Sequence, residues 1–254
     1  MAALISSTAL LLALHLPATS PQPSTTPGAG DRAADPVAYA LLSAAHDARQ
    51  VMPPGFPGFH CALVLEEGEA SWKGKLVYRR AAETEVLFEG LDAERLAWAR
   101  RQLLNLIGHR RGGDFRDGDG RHPLELVPGD SNDFGRLIRV HDGAGSSYRV
   151  RDGKVLEVTR TMDGSTFTIS VIDTREADPG KYLANHFVVS YRDTATGAVQ
   201  RFEGYRDSYA RVDGVWLPVV RSVLTVTEEP TPSIRVLRLV DHRRLDEGEA
   251  AAAR

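Results

Sequence analysis

Four Asp-Gly pairs punctuate the second half of this chain, at Asp142-Gly143, Asp152-Gly153, Asp163-Gly164 and Asp213-Gly214, and the first three recur every ten or eleven residues. Asp-Gly supplies the positive-φ residues of a two-residue turn whose twist matches its flanking strands. With apolar and polar residues alternating on either side, the spacing predicts antiparallel strands in series.

These strands are expected over about 136–140, 147–151, 154–161, 165–173, 183–192, 198–211, 215–227 and 233–241. In one of them Phe167, Ile169 and Val171 alternate with Thr166, Thr168 and Ser170, the pattern of a sheet with one wet face. Pro218 lies inside the run Val215–Val226 and has no backbone N–H, so it marks an edge strand or a bulge. Upstream, three further strands are predicted at Phe59–Glu66, around Trp72, Gly74, Leu76 and Tyr78, and at Glu85–Glu89.

Two helices flank that trio. The first is capped by Asp35, takes Pro36 in its first turn and runs to about Gln50 with an apolar face of Val37, Leu41, Ala44, Ala45 and Ala48. The second runs from about Ala93 to Ile107, capped by Asp92 and ended by Gly108, and buries Leu96, Leu103, Leu104 and Ile107. His109, Arg110 and Arg111 follow, where positive charge complements the last carbonyls. From Arg110 to Gly135 the periodicity gives way to a glycine- and aspartate-rich stretch, expected to be a mobile lid or disordered insert outside the core. The element order predicts an α+β fold: a large curved antiparallel β-sheet or unclosed β-barrel with two helices packed on the concave side.

The first sixteen residues are apolar and are followed by Pro17-Ala18-Thr19-Ser20, which predicts a signal peptide over 1–20 although no Lys or Arg precedes Arg32. The alternative is an uncleaved N-terminal tether. Residues 21–35 read as a flexible leader, 36–246 as a single α+β domain and 247–254 as a disordered tail. An exported, periplasmic or extracellular protein is expected, with no stable transmembrane segment after cleavage. Cys61 is the sole cysteine, so no intramolecular disulfide can form and stability must come from a core that 254 residues can supply. A formal charge of -3 offers no basic excess for phosphates, and nucleic acid is not expected as a partner.

Catalytic signatures are lacking. His60 and Cys61 are neighbours on a strand and point to opposite faces, and Cys61 shares its face with Phe59 and Leu63 as a core residue. The eight histidines show no ligand spacing. Asp114-Phe115-Arg116-Asp117-Gly118-Asp119-Gly120 superficially matches a calcium loop, but Phe115 and Leu126 would occupy positions that require oxygen donors. Neither Gly-x-Ser-x-Gly nor a phosphate-binding glycine loop is present, and no cofactor and no metal is expected.

Several stretches taken together carry a resemblance: Phe56-Pro57-Gly58-Phe59, Trp98–Arg110, Tyr148–Thr161, Phe167–Asp173, Tyr191-Arg192-Asp193, and Asp207-Ser208-Tyr209 through Trp216-Leu217-Pro218. Across about residues 38–227 the chain resembles an uncharacterised bacterial domain-of-unknown-function family, a resemblance that implies no activity and no catalytic residue. The element order is also similar to that of the LolA and LolB lipoprotein carriers, which implies an open half-barrel sheltering acyl chains beneath helices.

These observations favour a non-enzymatic exported protein that binds a lipid or other apolar ligand between the sheet and its helices. The expected lining is Leu63, Leu76, Tyr78, Phe167, Ile169, Phe187 and Trp216. The alternatives are an envelope structural module with a fully packed core that recruits another envelope protein, and a hydrolase or metalloprotein assembled from distant residues.

Overall fold

The structure, a computed structural model, describes residues 35–79, 84–229 and 231–246. The expected signal peptide, almost all of the leader and the C-terminal tail lie outside the described residues.

Helix α1 spans Pro36–Asp47 and α2 spans Ala93–Gly108. The strands are β1 (Phe59–Glu67), β2 (Ala70–Tyr78), β3 (Glu85–Phe88), β4 (Leu124–Asn132), β5 (Gly135–Val140) and β6 (Ser147–Arg151). After these come β7 (Lys154–Met162), β8 (Ser165–Glu176), β9 (Tyr182–Asp193), β10 (Val199–Val212), β11 (Val215–Val226) and β12 (Ser233–Arg244). All twelve form one antiparallel sheet in the order β3-β2-β1-β12-β11-β10-β9-β8-β7-β6-β5-β4, so the first and last strands of the chain pair and the sheet stays unclosed between β3 and β4. The α+β, unclosed-barrel expectation holds, and both helices lie on the same face.

The turns form as their residues dictate. Asp152, Asp163 and Asp213 adopt φ of 52°, 52° and 46°, each followed by a glycine at positive φ, which is the geometry of tight hairpin turns. Asp142 differs. It stands in the longer connection 141–146, where its carboxylate accepts the N–H groups of Ala144 (2.9 Å) and Ser146 (3.4 Å). Pro218 sits at a bulge: the β10–β11 register slips between Ser208 and Tyr209, and the freed Pro218 carbonyl accepts from His242 Nε2 at 2.9 Å.

Each helix buries part of its expected face, Ala45 in α1 and Leu103 and Ile107 in α2, but the buried stripe is centred differently. Helix α1 buries Ala38, Leu42 and Ala45 while Val37 is 49% exposed; α2 buries Trp98, Ala99, Leu103, Leu106 and Ile107 while Leu104 is 39% exposed. Tertiary anchors set the rotation. The Asp35 carboxylate accepts from Val37 and Ala38 in the helix and from Leu126 of β4 at 3.2 Å, and these backbone bonds, those from Ala38 and Leu126 foremost, hold its pKa below the usual carboxylate value. At the start of α2, Arg95 bonds both its cap Asp92 (2.6 Å) and Glu67 of β1 (2.6 Å), and Arg235 of β12 reaches the same Glu67 at 3.0 Å.

The segment from Arg110 to Gly135 is not the loose insert its composition suggests. It contains two 3-10 turns, Phe115–Asp117 and Asp119–Arg121, and then β4. Phe115 is 5% exposed and packs edge-on against Tyr39 at 5.1 Å, and Leu124 is 2% exposed in the core beneath α1. A few apolar side chains suffice because α1 supplies a ready surface for them.

The core is divided. One cluster under α2 joins β1, β2 and β3 to β9–β12; the other, under α1, joins α1 to β4, β5 and β6. Cys61 lies in the first, where burial pushes its thiol up to about 12, as befits a packing residue. Beneath α2 the sheet also carries a buried ion pair. Arg221 of β11 grips Asp207 of β10 through Nε (2.8 Å) and Nη2 (2.6 Å), and its Nη1 donates to the Gln102 carbonyl (3.2 Å) and side chain (3.3 Å) of α2. The pair therefore fixes α2 on the sheet.

Two stability outcomes follow from these contacts. Asp207→Ala strands a buried guanidinium and should cost about 3–5 kcal/mol in urea unfolding, whereas Asp207→Leu with Arg221→Met should recover most of that loss. Gly58 opens β1 at φ 119°, and a Cβ there would meet the Tyr78 carbonyl oxygen at 2.0 Å, whereas one at Gly55 (φ 73°) meets nothing within 4 Å. Gly58→Ala should lose roughly 2 kcal/mol more than Gly55→Ala in the same measurement; equal losses would mean that the close approach to β2 relaxes freely.

Candidate functional site

The site is a consequence of where the helices stop. Along β1 the burial alternates cleanly, with Phe59, Cys61, Leu63 and Leu65 all at or below 3% exposure. In β8 the corresponding face does not bury: Phe167, Ile169 and Val171 are all half-buried. Cross-strand partners continue this apolar strip, because Ile169 lies opposite Val158 of β7 and Val171 lies opposite Phe187 of β9. Phe187 in turn stacks on Tyr205 of β10 at 4.7 Å. These side chains face the interval between α1 and α2, where the structure holds a cavity of about 490 Å3.

Leu42 and His46 of α1 wall one side of it, and Leu106 of α2 with His109 and Arg110 just beyond the helix wall another. The connection after α1 is pinned across its mouth. Tyr182 N–H donates to the Ala48 carbonyl (2.9 Å), Gln50 N–H donates to the Tyr182 carbonyl (2.8 Å), and Met52 N–H donates to the Arg110 carbonyl (2.7 Å). The Tyr182 hydroxyl accepts the Val155 N–H at 3.0 Å, tying the same point to β7. Arg49 is thereby held between β9 and the end of α2, with its Nε donating to the His46 carbonyl at 3.1 Å.

Charges in the cavity wall are largely settled internally. Besides the Arg221–Asp207 pair, Arg160 bonds Asp119 at 3.0 Å, and the Tyr148 hydroxyl joins both. Arg110 is the exception. It is 3% exposed, its Nη2 donates to the Trp216 carbonyl (3.0 Å), its guanidinium lies over the Tyr209 ring at 4.9 Å, and neither Nε nor Nη1 has a partner. Burial holds its pKa below the ordinary arginine value. It does not solvate the helix terminus as its position in the sequence suggests. His109 is reached by solvent within the cavity mouth, yet the surrounding protein, with Arg221 and Arg49 next in effect, depresses its pKa and favours the neutral ring.

Of the residues expected to line a ligand site, Phe167, Ile169 and Phe187 meet in this cavity. Leu63 and Leu76 are fully enclosed in the α2 core. Tyr78 lines a separate outer cleft, and Trp216 is half-buried away from the cavity, its Nε1 donating to Asp178 at 3.2 Å. Sequence reasoning missed Arg49, Arg110, Asp207 and Arg221. Arg221 sits on an inward position of the otherwise apolar β11, and that break in the pattern was the available signal, whereas Asp207 shares the inward face of β10 with Glu203, Tyr205 and Tyr209. Among the described residues no three of His, Cys, Asp and Glu converge as a metal-ligand group, and Asp119 and Asp207 are both engaged by arginines.

Three solved structures share overall similarity with the chain. The LolA superfamily protein NE2245 from Nitrosomonas europaea is 11% identical over 82% of this chain and 94% of that one, with a TM-score of 0.36. A putative outer membrane lipoprotein-sorting protein domain from Vibrio parahaemolyticus is 9% identical over 85% and 97%, also with a TM-score of 0.36. The Pseudomonas aeruginosa MucA/MucB complex contains a chain 10% identical over 85% and 96%, with a TM-score of 0.20. Likeness at this level leaves the question of a ligand to the chain's own cavity. No curated protein matches the sequence. The family described as "Protein of unknown function (DUF3386)" matches residues 33–245, and the chain belongs to it.

Proposed function

We propose that this is an exported, non-enzymatic carrier that holds an apolar ligand over β7, β8 and β9, between its two helices. The observation that carries this reading is the half-buried strip of Val158, Phe167, Ile169, Val171 and Phe187 in a cavity of about 490 Å3, within the roughly 300–1,000 Å3 of small-molecule sites. Leaving such a strip uncovered forgoes about 25 cal/mol for each Å2 of apolar surface that a helix or ligand would remove from water. A ligand that fills the interval recovers that stabilisation. Support for export is the apolar N-terminal run followed by small residues at 18–20. A module with a fully packed core, recruiting another envelope protein, is the weaker reading because the space between the helices is continuous.

The test has two arms. Protein purified without detergent is extracted with organic solvent for mass spectrometry, and the extracted protein is titrated with the neutral fluorescent probe N-phenyl-1-naphthylamine. An apolar molecule in the extract and saturable probe binding are expected. Ile169→Trp, which fills the cavity from its floor, should weaken probe binding about tenfold or more, a 1.4 kcal/mol effect, without lowering the melting temperature. An empty extract together with no saturable binding overturns the proposal.

A further inference from the structure

Outside the cavity lies a second depression, a cleft of about 660 Å3 on the far side of Arg49 and His46, which line both spaces. Unlike the apolar strip, it gathers several cations alongside the apolar Val51, Met52, Phe56 and Tyr78. Arg49, Arg79, Arg111 and Lys181 converge there against a single lining carboxylate, Asp47, in a chain whose formal net charge is -3. Arg79 pairs with Glu85 at 3.4 Å, and Lys181 donates to the Asp47 carbonyl at 2.5 Å. Among the described residues neither Arg49 nor Arg111 has an ion-pair partner: Arg49 bonds only the His46 carbonyl, and Arg111 stands exposed just beyond α2. In the cavity wall the buried Arg110 also lacks a carboxylate, which adds to the positive potential at this end of the site.

The two spaces thus share one pair of lining residues, with an apolar floor on one side and Arg49 and Arg111, which lack ion-pair partners among the described residues, on the other. A neutral hydrocarbon would use only the floor, and a small anion would use only the cleft. We propose that the ligand is an anionic amphiphile, whose aliphatic chain lies on the β7–β9 strip and whose acidic head, carboxylate or phosphate, rests beside Arg49 and Arg111. This rests on the carrier reading above and adds the ligand's charge and orientation. The head belongs in the cleft because the cavity's other arginines are less open to it: Arg160 and Arg221 are neutralised by Asp119 and Asp207, and Arg110 is buried over the Tyr209 ring. The guanidinium groups of Arg49 and Arg111 can bond either acidic head without losing an existing ion pair.

Displacement of N-phenyl-1-naphthylamine from the full chain tests this with hexadecanoate, hexadecyl phosphate and hexadecan-1-ol, which share one chain length. Both anions should compete at least about tenfold better than the alcohol at low ionic strength, and the advantage should shrink as salt rises toward 0.5 M, where screening is nearly complete over the cleft. The relative strength of the two anions separates a carboxylate source from a phosphate source. Arg49→Gln with Arg111→Gln should abolish most of the preference, read as the ratio of anion to alcohol competition measured on the same variant. Equal competition by alcohol and anions, or an anion preference that survives the double substitution, overturns the inference and leaves the carrier reading intact. Failure of the probe itself to bind removes both.

Discussion

Neighbouring strands lie about 4.8 Å apart, so twelve of them would span roughly 50 Å if laid flat, while a helix with its side chains is about 10–12 Å wide. Two helices cannot cover such a face. Curling the sheet reduces the deficit, and an end-to-end closure would remove it, but β3 and β4 remain unpaired with each other. The structure instead commits α2 to the strands around β1, β12 and β11, and α1 to β4, β5 and β6, each above its own core. What is left over is the middle of the sheet, and the cavity is that remainder.

Keeping the interval open requires that neither helix drift across it. A purely apolar contact would permit sliding, since hydrophobic burial is non-directional. The anchors here are directional. Arg221 holds Asp207 and Gln102 at fixed distances under α2, Asp35 bonds its own helix and β4, and the stretch from Ala48 to Met52 is tied to Tyr182 and Arg110 by backbone hydrogen bonds. Each bond contributes modestly to stability, on the order of 1 kcal/mol. Together they specify a separation between the helices, and that separation gives the cavity its width.

Much of the scaffold could be read directly from the chain because its signals are local. Positive φ at Asp152, Asp163 and Asp213 is a property of the Asp-Gly dipeptide, and the caps Asp35 and Asp92 act on residues two or three positions away. Strand β4 was not legible, since Leu124 and Leu126 are separated from any clear alternation by Pro123, Pro128 and Gly129, and their burial depends on α1 lying ninety residues upstream. The helix faces were legible only in part, for a related reason. Periodicity fixes the spacing of an apolar stripe, but in an alanine-rich or leucine-rich helix several stripes satisfy it, and long-range anchors choose among them.

By itself, the sequence determined that the chain forms serial antiparallel strands with two capped helices, because turn and cap chemistry act over a few residues and need no partner. It also determined that Phe167, Ile169 and Val171 share one face, since alternation along a strand is geometric. Only the tertiary structure decided that this face is left half-covered, whereas the equally apolar Leu63 and Leu76 are enclosed. The same is true of Arg49 and Arg110, ordinary arginines in the sequence, which become a shared wall and a buried uncompensated charge only when β9, α2 and the turn after α1 meet. Burial and charge compensation are sums over neighbours from distant parts of the chain, and those neighbours are assigned by the fold.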